Sequence, residues 1–315
     1  MKWTLAFALL LPLAVQAANT QYPVTVTSCG QPLTFDAPPS RAVFHDINMS
    51  EMAFALGLQD RMVGVTGISG WYKMSPSFET KLGSIPELAP KYPSMETLLG
   101  AKPDFFFAGW NYGMRIGGDV TPTTLKPYGV NTLVLSESCV HTGEIDTPAT
   151  MDLLYDDIAK LGVIFDEQDK ASALIQDWKQ RIKALPKHAT AQSAPKVFLY
   201  DSGEDKPFTA GKYAMPEAMI EAAGGVNVSH DMDTSWATTS WESVATANPD
   251  LIILLDYQSA SGADSLQRFL EQHPLMKHTN AVKNQRYVKL RYEQLTPGPA
   301  NIGAVEKLAQ ALYPQ

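Results

Sequence analysis

Aromatic and charged side chains gather directly after the apolar runs that the sequence predicts to be strands. In the clearest case, Trp110, Asn111, Tyr112 and Arg115 follow the apolar run from Phe105 to Ala108. Flat aromatic side chains suit a large conjugated or chelated ligand, and arginine can neutralise an anionic one. The candidate ligand-binding residues are His45, Trp71, Tyr72, Trp110, Asn111, Tyr112, Arg115, Tyr200, Trp236, Tyr257, Arg291 and Tyr292.

Ligand binding is the expected role of this set, because ligands of open α/β sheets lie beyond the carboxyl ends of the strands. Packing in the core is the alternative for its aromatic members, above all for Trp110 and Tyr200 at strand ends. Arg115 and Arg291 are expected to neutralise an anionic complex or its carboxylates.

A bare metal ion is an alternative ligand. His45, Asp46, Glu137 and His141 all follow predicted strands of the first half, and in principle they could converge on one ion. The sequence has no His-rich loop, however, and the second half has no matching histidine at a strand end. A hydrogen-bonded or exposed role is therefore the simpler expectation for each histidine, and we expect neither a metal site nor a cofactor.

The sequence lacks the common catalytic motifs. It contains no GxSxG elbow, no P-loop, no GxGxxG after a predicted strand and no HExxH. Asp201, Ser202 and His45 could form a triad only by chance, because nothing in their spacing supports one. The sequence predicts a binding protein and not an enzyme, and a metal-dependent hydrolase is the catalytic alternative.

An internal repeat indicates two similar halves. The segment SMETLLGAKPDFFFAGW (94–110) is matched by SWESVATANPDLIILLDY (240–257), with Ser, Glu, Ala, Pro and Asp at the same places and an offset of 146 residues. Each segment predicts a short helix, a break at Pro-Asp and a continuous apolar strand of the kind that parallel sheets bury on both faces. A chance match is the alternative, since Pro-Asp often precedes such strands.

The remaining pattern predicts a Rossmann-like order of strands and helices in each half. A hairpin with its turn at 29–32 comes first, and 71–91 is expected to be a Gly/Pro-rich surface passage. Helical periodicity from about 147 to 185 predicts a connector that is stiffer than a Gly/Ser linker, with a bend or restart at 166–169.

Length and composition fit two folded domains. The chain has 315 residues, of which 45% are hydrophobic and 18% charged. A chain of this length usually exceeds one compact core and is too apolar to be disordered. Its net charge of −8, together with the lack of a Lys/Arg-dense run, argues against a nucleic-acid partner.

The first residues predict export. Residues 1–17, MKWTLAFALLLPLAVQA, combine a lysine, an apolar run and a small-residue ending, which is the pattern of a cleavable signal peptide. No cysteine stands at the expected cleavage point after Ala17, so we expect a periplasmic protein without a lipid anchor. Cys29 and Cys139 are then most simply joined in one disulfide, while two free thiols or a thiolate metal site are the alternatives.

Taken in order, these features resemble the periplasmic substrate-binding proteins of ABC importers for iron–siderophores, haem and cobalamin. The resemblance is carried by the two repeated segments, the helical connector, the exported N-terminus, the stretch AVKNQRYV (281–288) and the turn PGPA (297–300). It covers nearly all of the chain that would remain after export.

The resemblance implies an α/β fold of two Rossmann-like lobes joined by a long rigid α-helix, with the ligand cleft between the lobes. The expected parts are an N-terminal lobe at 18–147, a connecting helix at 148–186 and a C-terminal lobe at 187–315. An iron–siderophore or similar metal chelate is the first expected ligand, and a corrinoid or haem is the next.

The resemblance also implies how the protein meets its transporter. One glutamate on each lobe would contact arginines of the permease dimer in the inner membrane, and by motif position these are Glu96 and Glu242. A solvated helix-face glutamate is the alternative for each. The protein is expected to be a monomer, and an outer-membrane receptor system is a further upstream partner that the family allows.

Overall fold

A computed structural model of the chain describes residues 20–143, 146–186, 194–257 and 262–314. The expected signal peptide at 1–17 and the expected start of the C-terminal lobe at 187 lie outside the described residues. No helix among the described residues is both long enough and apolar enough to span a membrane.

Strands and helices alternate along most of the chain. The strands are β1 (Val24–Ser28), β2 (Gln31–Phe35), β3 (Ala42–His45), β4 (Met62–Thr66), β5 (Glu87–Ala89), β6 (Phe105–Trp110), β7 (Gly113–Met114), β8 (Asn131–Val134), β9 (Lys196–Tyr200), β10 (Phe208–Ala210), β11 (Val226–Asn227), β12 (Trp236–Thr238), β13 (Leu251–Asp256) and β14 (Tyr287–Arg291). The α-helices are α1 (Ile47–Leu56), α2 (Pro76–Leu82), α3 (Met95–Gly100), α4 (Pro122–Leu125), α5 (Asp152–Phe165), α6 (Gln168–Lys183), α7 (Met215–Ala222), α8 (Trp241–Ala247), α9 (Gly262–Gln272), α10 (Asn280–Lys283) and α11 (Ala300–Leu312).

Two parallel sheets form the two lobes. The first has the order β5-β4-β3-β6-β8, with the short β7 beside the end of β6, and the second has the order β11-β9-β13-β14. The apolar strands β6 and β13 lie inside their sheets, where Phe105, Phe106 and Phe107 of β6 have no exposed surface. Burial on both faces of a parallel sheet explains why these two runs do not alternate with polar residues.

The repeated segments fold alike. Ser94 caps α3, because its side chain accepts a hydrogen bond from the backbone amide of Thr97 at 3.1 Å. Ser240 caps α8 in the same way by accepting from the backbone amide of Ser243 at 3.1 Å. In both cases the capped helix leads into the buried inner strand, β6 or β13. The repeat therefore marks two structurally equivalent units, as the sequence predicts.

The passage from Trp71 to Lys91 differs from the expected irregular surface segment, because it contains α2 and β5. The Ser75 side chain accepts a hydrogen bond from the amide of Phe78 at 3.2 Å, and Pro76 occupies the first turn of α2. Serine followed by proline is a helix-start signal. Strand β5 has three residues and lies at the edge of the first sheet, which makes it hard to detect from periodicity.

The connector consists of the two helices α5 and α6, where the resemblance implies one long helix at 148–186; the break lies at the bend or restart that the sequence predicts at 166–169. Asp166 adopts a left-handed conformation at φ 63°, which ends α5. The helices then run antiparallel, since Lys179 of α6 lies 3.9 Å from the carboxylate of Asp152 at the start of α5. Helix α5 packs against β1 and α6 packs against α11, so the pair bridges the two lobes.

One apolar cluster runs through both lobes and the connector. It includes Phe44 and Phe105 of the first sheet, Phe165 of α5, and Leu199 and Leu308 of the second lobe. The ring of Phe165 lies 5.1 Å from that of Phe105 in an edge-to-face arrangement. The lobes are therefore held together by shared core packing as well as by the chain connection.

A disulfide joins Cys29 to Cys139, as the sequence predicts. It ties the β1–β2 turn to the 3-10 segment Ser136–Thr142, which follows β8. This segment also carries Glu137 and His141, so the disulfide fixes a part of the chain that bears candidate site residues.

Replacing both cysteines with serine should lower the free energy of unfolding. The crosslink spans 110 residues, and in the chain-entropy model such a loop is worth about 4–5 kcal/mol at most. Urea denaturation of the wild type and of the Cys29→Ser/Cys139→Ser variant measures the loss. Adding a reductant should destabilise the wild type to the level of the variant and leave the variant unchanged; equal stability of oxidised and reduced wild type would contradict the prediction.

Candidate ligand-binding cleft

A cavity of about 370 Å³ lies between the two lobes. Small-molecule sites in proteins commonly measure about 300–1,000 Å³. Its lining consists of Asn111, Tyr112, His141, Asp201, Phe208, Ser235, Trp236, Tyr257, Tyr292 and Thr296. Most of these residues follow the carboxyl ends of strands β6, β8, β9, β13 and β14, which is where open α/β sheets bind ligands.

The first-lobe wall is a tight turn between β6 and β7. Asn111 has a left-handed conformation at φ 65°, and the Nδ2 atom of its side chain lies 3.2 Å from Nε2 of His141. Gly113 follows at φ 96°, and a Cβ atom there would lie 2.6 Å from Cγ of His45. Glycine is therefore needed at 113 both for its backbone angle and for the close approach of His45.

Glu137 is fully buried between the lobes. Its Oε1 accepts hydrogen bonds from the Tyr112 hydroxyl at 2.6 Å and from Nε1 of Trp236 at 3.2 Å. Its Oε2 accepts from the backbone amide of Met215, at the first turn of α7, at 2.6 Å. Burial raises the pKa of Glu137 to about 7, although each of these three hydrogen bonds lowers it.

This carboxylate links the two lobes through residues that line the cavity. Ala214 precedes α7 and offers no side-chain cap, so Glu137 of the first lobe supplies the acceptor that the helix start lacks. Tyr112 and Trp236 lie on opposite lobes and are both oriented by the same oxygen. The spacing of the cavity walls therefore depends on Glu137.

The second-lobe wall contains Asp201, which follows β9. The backbone of β10 folds back on it, because the amide of Asp201 donates to the carbonyl of Phe208 at 3.1 Å. Its carboxylate accepts from the Ser202 hydroxyl at 2.6 Å and from the Tyr257 hydroxyl at 3.4 Å. Burial raises the pKa of Asp201, against the effect of both hydrogen bonds.

A buried ion pair lies behind Tyr292. Nζ of Lys73 is 2.7 Å from Oδ2 of Asp46, and the Tyr292 hydroxyl donates to the same oxygen at 2.9 Å. The Lys73 ammonium also lies 3.5 Å from the centre of the Tyr292 ring. Asp46 and Lys73 belong to the first lobe and Tyr292 to the second, so this group is another polar link across the cleft.

The structure brings several predicted residues together at the cavity. Asn111 and Tyr112 of the first lobe and Trp236, Tyr257 and Tyr292 of the second lobe all line it. His141 and Asp201, which the sequence also places after strands, line it as well. A role of these residues in binding a ligand stays a prediction.

Other predicted residues lie outside the lining. Trp71 and Tyr72 are exposed, with 39% and 64% of their surface accessible. Arg115 is exposed, and its guanidinium lies 5.1 Å from the centre of the Tyr92 ring. The Arg291 guanidinium pairs with the carboxylate of Glu293, two residues further along the chain.

Three predicted residues belong to the interior of a lobe. Tyr200 packs against Phe198 and Trp241 in the second lobe, and Trp110 packs against the apolar cluster that contains Cys139. His45 is buried, with Nδ1 2.8 Å from the hydroxyl of Thr66. Burial lowers the pKa of His45 to about 4, so the imidazole is neutral at physiological pH.

Sequence reasoning missed Phe208, Ser235 and Thr296 in the lining, and it missed Lys73 behind it. Phe208 and Ser235 belong to or adjoin β10 and β12, which have three residues each and show no periodic pattern. Thr296 stands directly before the Pro297 turn that the sequence does mark. No local signal distinguishes the buried Lys73 from an exposed lysine.

The four candidate metal ligands do not converge. In the ranges that the structure describes, no three His, Cys, Asp or Glu side chains come together in a group that could hold a metal ion. Asp46 instead pairs with Lys73, and Glu137 accepts hydrogen bonds from both lobes. The alternative of a bare metal ion therefore gains no support from the arrangement.

Glu96 and Glu242 occupy equivalent places. Each is exposed and lies in the first turn of its helix, α3 or α8. In the described part of the chain neither carboxylate forms an ion pair. Both are accessible to a basic partner, and their docking role stays a prediction.

A family profile described as periplasmic binding protein matches residues 46–293. The chain belongs to the periplasmic binding protein family. This membership and the α/β fold confirm the resemblance and the fold class that the sequence predicts. Proteins of this family are periplasmic or extracytoplasmic.

Individual relatives cover most of this periplasmic binding protein. An uncharacterized ABC transporter substrate-binding lipoprotein of Bacillus subtilis is 24% identical, over 93% of this chain and 86% of the relative. A cobalamin-binding protein of Halobacterium salinarum is also 24% identical, over 93% of this chain and 74% of the relative. A solved periplasmic binding protein from Veillonella parvula is 26% identical with a TM-score of 0.78, covering 92% of this chain and 97% of the other.

The buried position of Glu137 predicts a pH-dependent effect of the Glu137→Gln variant. Since the folded-state pKa of about 7 lies above the unfolded value of about 4.5, ionisation of Glu137 opposes folding as the pH rises through this window. Glutamine cannot ionise. The stability of the wild type relative to the variant should therefore fall by up to about 3 kcal/mol between pH 4.5 and pH 8.

Urea denaturation of both proteins at several pH values measures this difference. A matched control is Glu79→Gln, which makes the same substitution at an exposed carboxylate of α2, so that effects of the substitution itself can be subtracted. A pH-independent difference between wild type and Glu137→Gln would contradict the raised pKa.

Proposed function

We propose that this protein is the periplasmic substrate-binding component of an ABC importer. It captures an iron–siderophore or a similar metal chelate between its lobes and delivers it to the permease in the inner membrane. The observation that carries this proposal is the aromatic cavity at the carboxyl ends of both sheets, which is closed by residues of both lobes.

A corrinoid is the second candidate ligand. Its support is the relative named cobalamin-binding protein, which matches over 93% of this chain. Large planar faces of a corrin or a haem would also suit the paired aromatic rings. The cavity of about 370 Å³ accommodates one end of such a ligand, and the rest would lie in the mouth of the cleft.

Export by the signal peptide at 1–17 is part of the same proposal. Cys29 and Cys139 are joined to each other, so neither is free to carry a lipid. The Bacillus subtilis relative is named a lipoprotein, so the mass of the exported protein is the direct check of this point.

Glu96 and Glu242 are proposed to dock the protein on the permease dimer. The two carboxylates stand at the same place in equivalent units, one on each lobe, and each can form charge-assisted hydrogen bonds with an arginine of one permease subunit. A pair of such contacts fixes the orientation of docking, because a rotated protein would lose at least one of them.

The first test identifies the ligand. Mass spectrometry of the protein purified without denaturation from periplasm should find a retained metal chelate or corrinoid. Adding that ligand to the emptied protein should quench tryptophan fluorescence, since Trp236 lines the cavity. The quench should be lost in Trp236→Phe and kept in Trp178→Phe, whose side chain is buried in α6. A full quench in Trp236→Phe would count against the cavity.

The second test addresses docking. Charge reversal in Glu96→Lys/Glu242→Lys should reduce uptake of radiolabelled ferrichrome or cyanocobalamin, whichever the wild-type protein supports, by at least about tenfold. Affinity for that ligand should stay within about twofold of the wild type. The control Glu79→Lys/Glu221→Lys makes the same charge change at exposed glutamates elsewhere and should transport normally. Normal uptake by the Glu96/Glu242 variant would refute the docking role.

A further inference from the structure

The cavity lining is acidic. Asp201 contributes a carboxylate, and within the described ranges no lysine or arginine lines the cavity. The segments 144–145 and 258–261, which adjoin His141 and Tyr257 in sequence, contain no lysine or arginine either. Burial lowers the pKa of His141, so this imidazole is neutral at physiological pH and does not offset Asp201.

The basic residues around the cleft are engaged elsewhere. Lys73 is paired with Asp46 at 2.7 Å. Burial raises the pKa of Asp201, but the Lys73 ammonium acts in the opposite direction and favours the ionised form of that carboxylate. Arg291 is paired with Glu293, and the guanidinium of Arg115 lies over Tyr92. The expectation that Arg115 and Arg291 neutralise an anionic ligand therefore finds no matching arrangement in the cavity.

The faces of the aromatic rings in the cavity walls add a negative electrostatic potential to that of Asp201. Phe208 and Trp236 are stacked with ring centres 6.1 Å apart and an interplanar angle of 20°. Tyr257 and Tyr292 are stacked at 6.0 Å and 29°. The face of an aromatic ring is electrically negative and attracts cations. Two stacked pairs beside a carboxylate make a site that favours a flat positive group and disfavours a negative one.

We propose that the ligand presents a compact, planar and positively charged group to this cavity, with Asp201 as its counter-ion and the two aromatic pairs as its walls. This inference rests on the proposed function, since it names the charge class of the ligand for the same cleft. Ligands whose inner end carries catecholate or carboxylate charges would meet Asp201 and the negative ring faces, and they would bind weakly.

A charge series of two-ring probes tests the proposal on the full-length exported protein. The probes are 1-methylquinolinium as the cation, quinoline at pH 8 as the neutral analogue and 2-naphthoate as the anion. Isothermal titration calorimetry should give an affinity for 1-methylquinolinium at least about tenfold above that for quinoline, and little or no binding of 2-naphthoate.

The variant Asp201→Asn tests whether the Asp201 carboxylate causes the preference for the cationic probe. It keeps the shape of the side chain and removes the charge, so it should weaken binding of 1-methylquinolinium by about tenfold or more and change quinoline affinity by less than about twofold. The matched control is Asp205→Asn, which removes an exposed carboxylate of the same loop and should leave all three affinities unchanged. Circular dichroism checks that each variant is folded.

Equal affinity for the three probes, tighter binding of 2-naphthoate, or no binding of 1-methylquinolinium at millimolar concentration would each overturn the charge assignment. The wild-type series alone decides this, even if Asp201→Asn does not fold. These outcomes leave the transport proposal standing, because that proposal is tested by the ligand retained from periplasm and by uptake.

Discussion

Burial of the Glu137 carboxylate at the boundary between the two lobes is the constraint on which the cleft depends. A buried carboxylate is unfavourable by several kcal/mol unless it is hydrogen-bonded, and Glu137 obtains its donors from both lobes. Tyr112, Trp236 and the first amide of α7 must all stay within reach of two oxygen atoms. Because Tyr112 and Trp236 also form opposite walls of the cavity, the hydrogen bonds that satisfy Glu137 set the distance between those walls.

Contacts with residues 292–298 also hold the boundary between the two lobes. The side-chain amide of Asn48 donates to the carbonyl of Pro297 at 2.7 Å, and Tyr292 donates to Asp46. Gly298 lies against Asn48 so closely that an added Cβ would be 3.2 Å from the Asn48 Cβ. The start of α1 in the first lobe is thus packed on the 292–298 loop of the second, and the cavity lies beside a close-packed junction between the lobes.

The general fold could be predicted from the sequence because its signals are local. The apolar runs at Phe105 and Leu251 need two covering layers, and the serines at 94 and 240 mark the helices that precede them. The hairpin and the strand ends are readable in the same way, which is why Tyr112, Tyr257 and Tyr292 could be placed at the cleft. The disulfide follows instead from the presence of two cysteines in a chain that is expected to be exported. The rule that ligands lie at strand ends needs only the order of the elements.

The parts that escaped prediction depend on which distant groups meet. Lys73 is buried only because Asp46 and Tyr292, from different lobes, receive its ammonium group, and nothing in its own neighbourhood of the sequence encodes that contact. The break of the connector at Asp166 is marked in the sequence, yet its direction follows from packing of α5 on the first lobe and α6 on α11.

The sign of the charge in the cleft also depends on which side chains meet in the folded protein. The sequence places Arg115 and Arg291 after strand ends and predicts that they neutralise an anionic ligand. Arg291, however, finds Glu293 two residues away, and Arg115 lies over the Tyr92 ring, while Asp201 keeps its place in the lining. A side chain that already has a partner contributes little net potential at a distance, so the sign is set by Asp201, which forms no direct ion pair among the described residues. Pairing, which only the three-dimensional structure reveals, therefore decides which ligands such a cleft can accept.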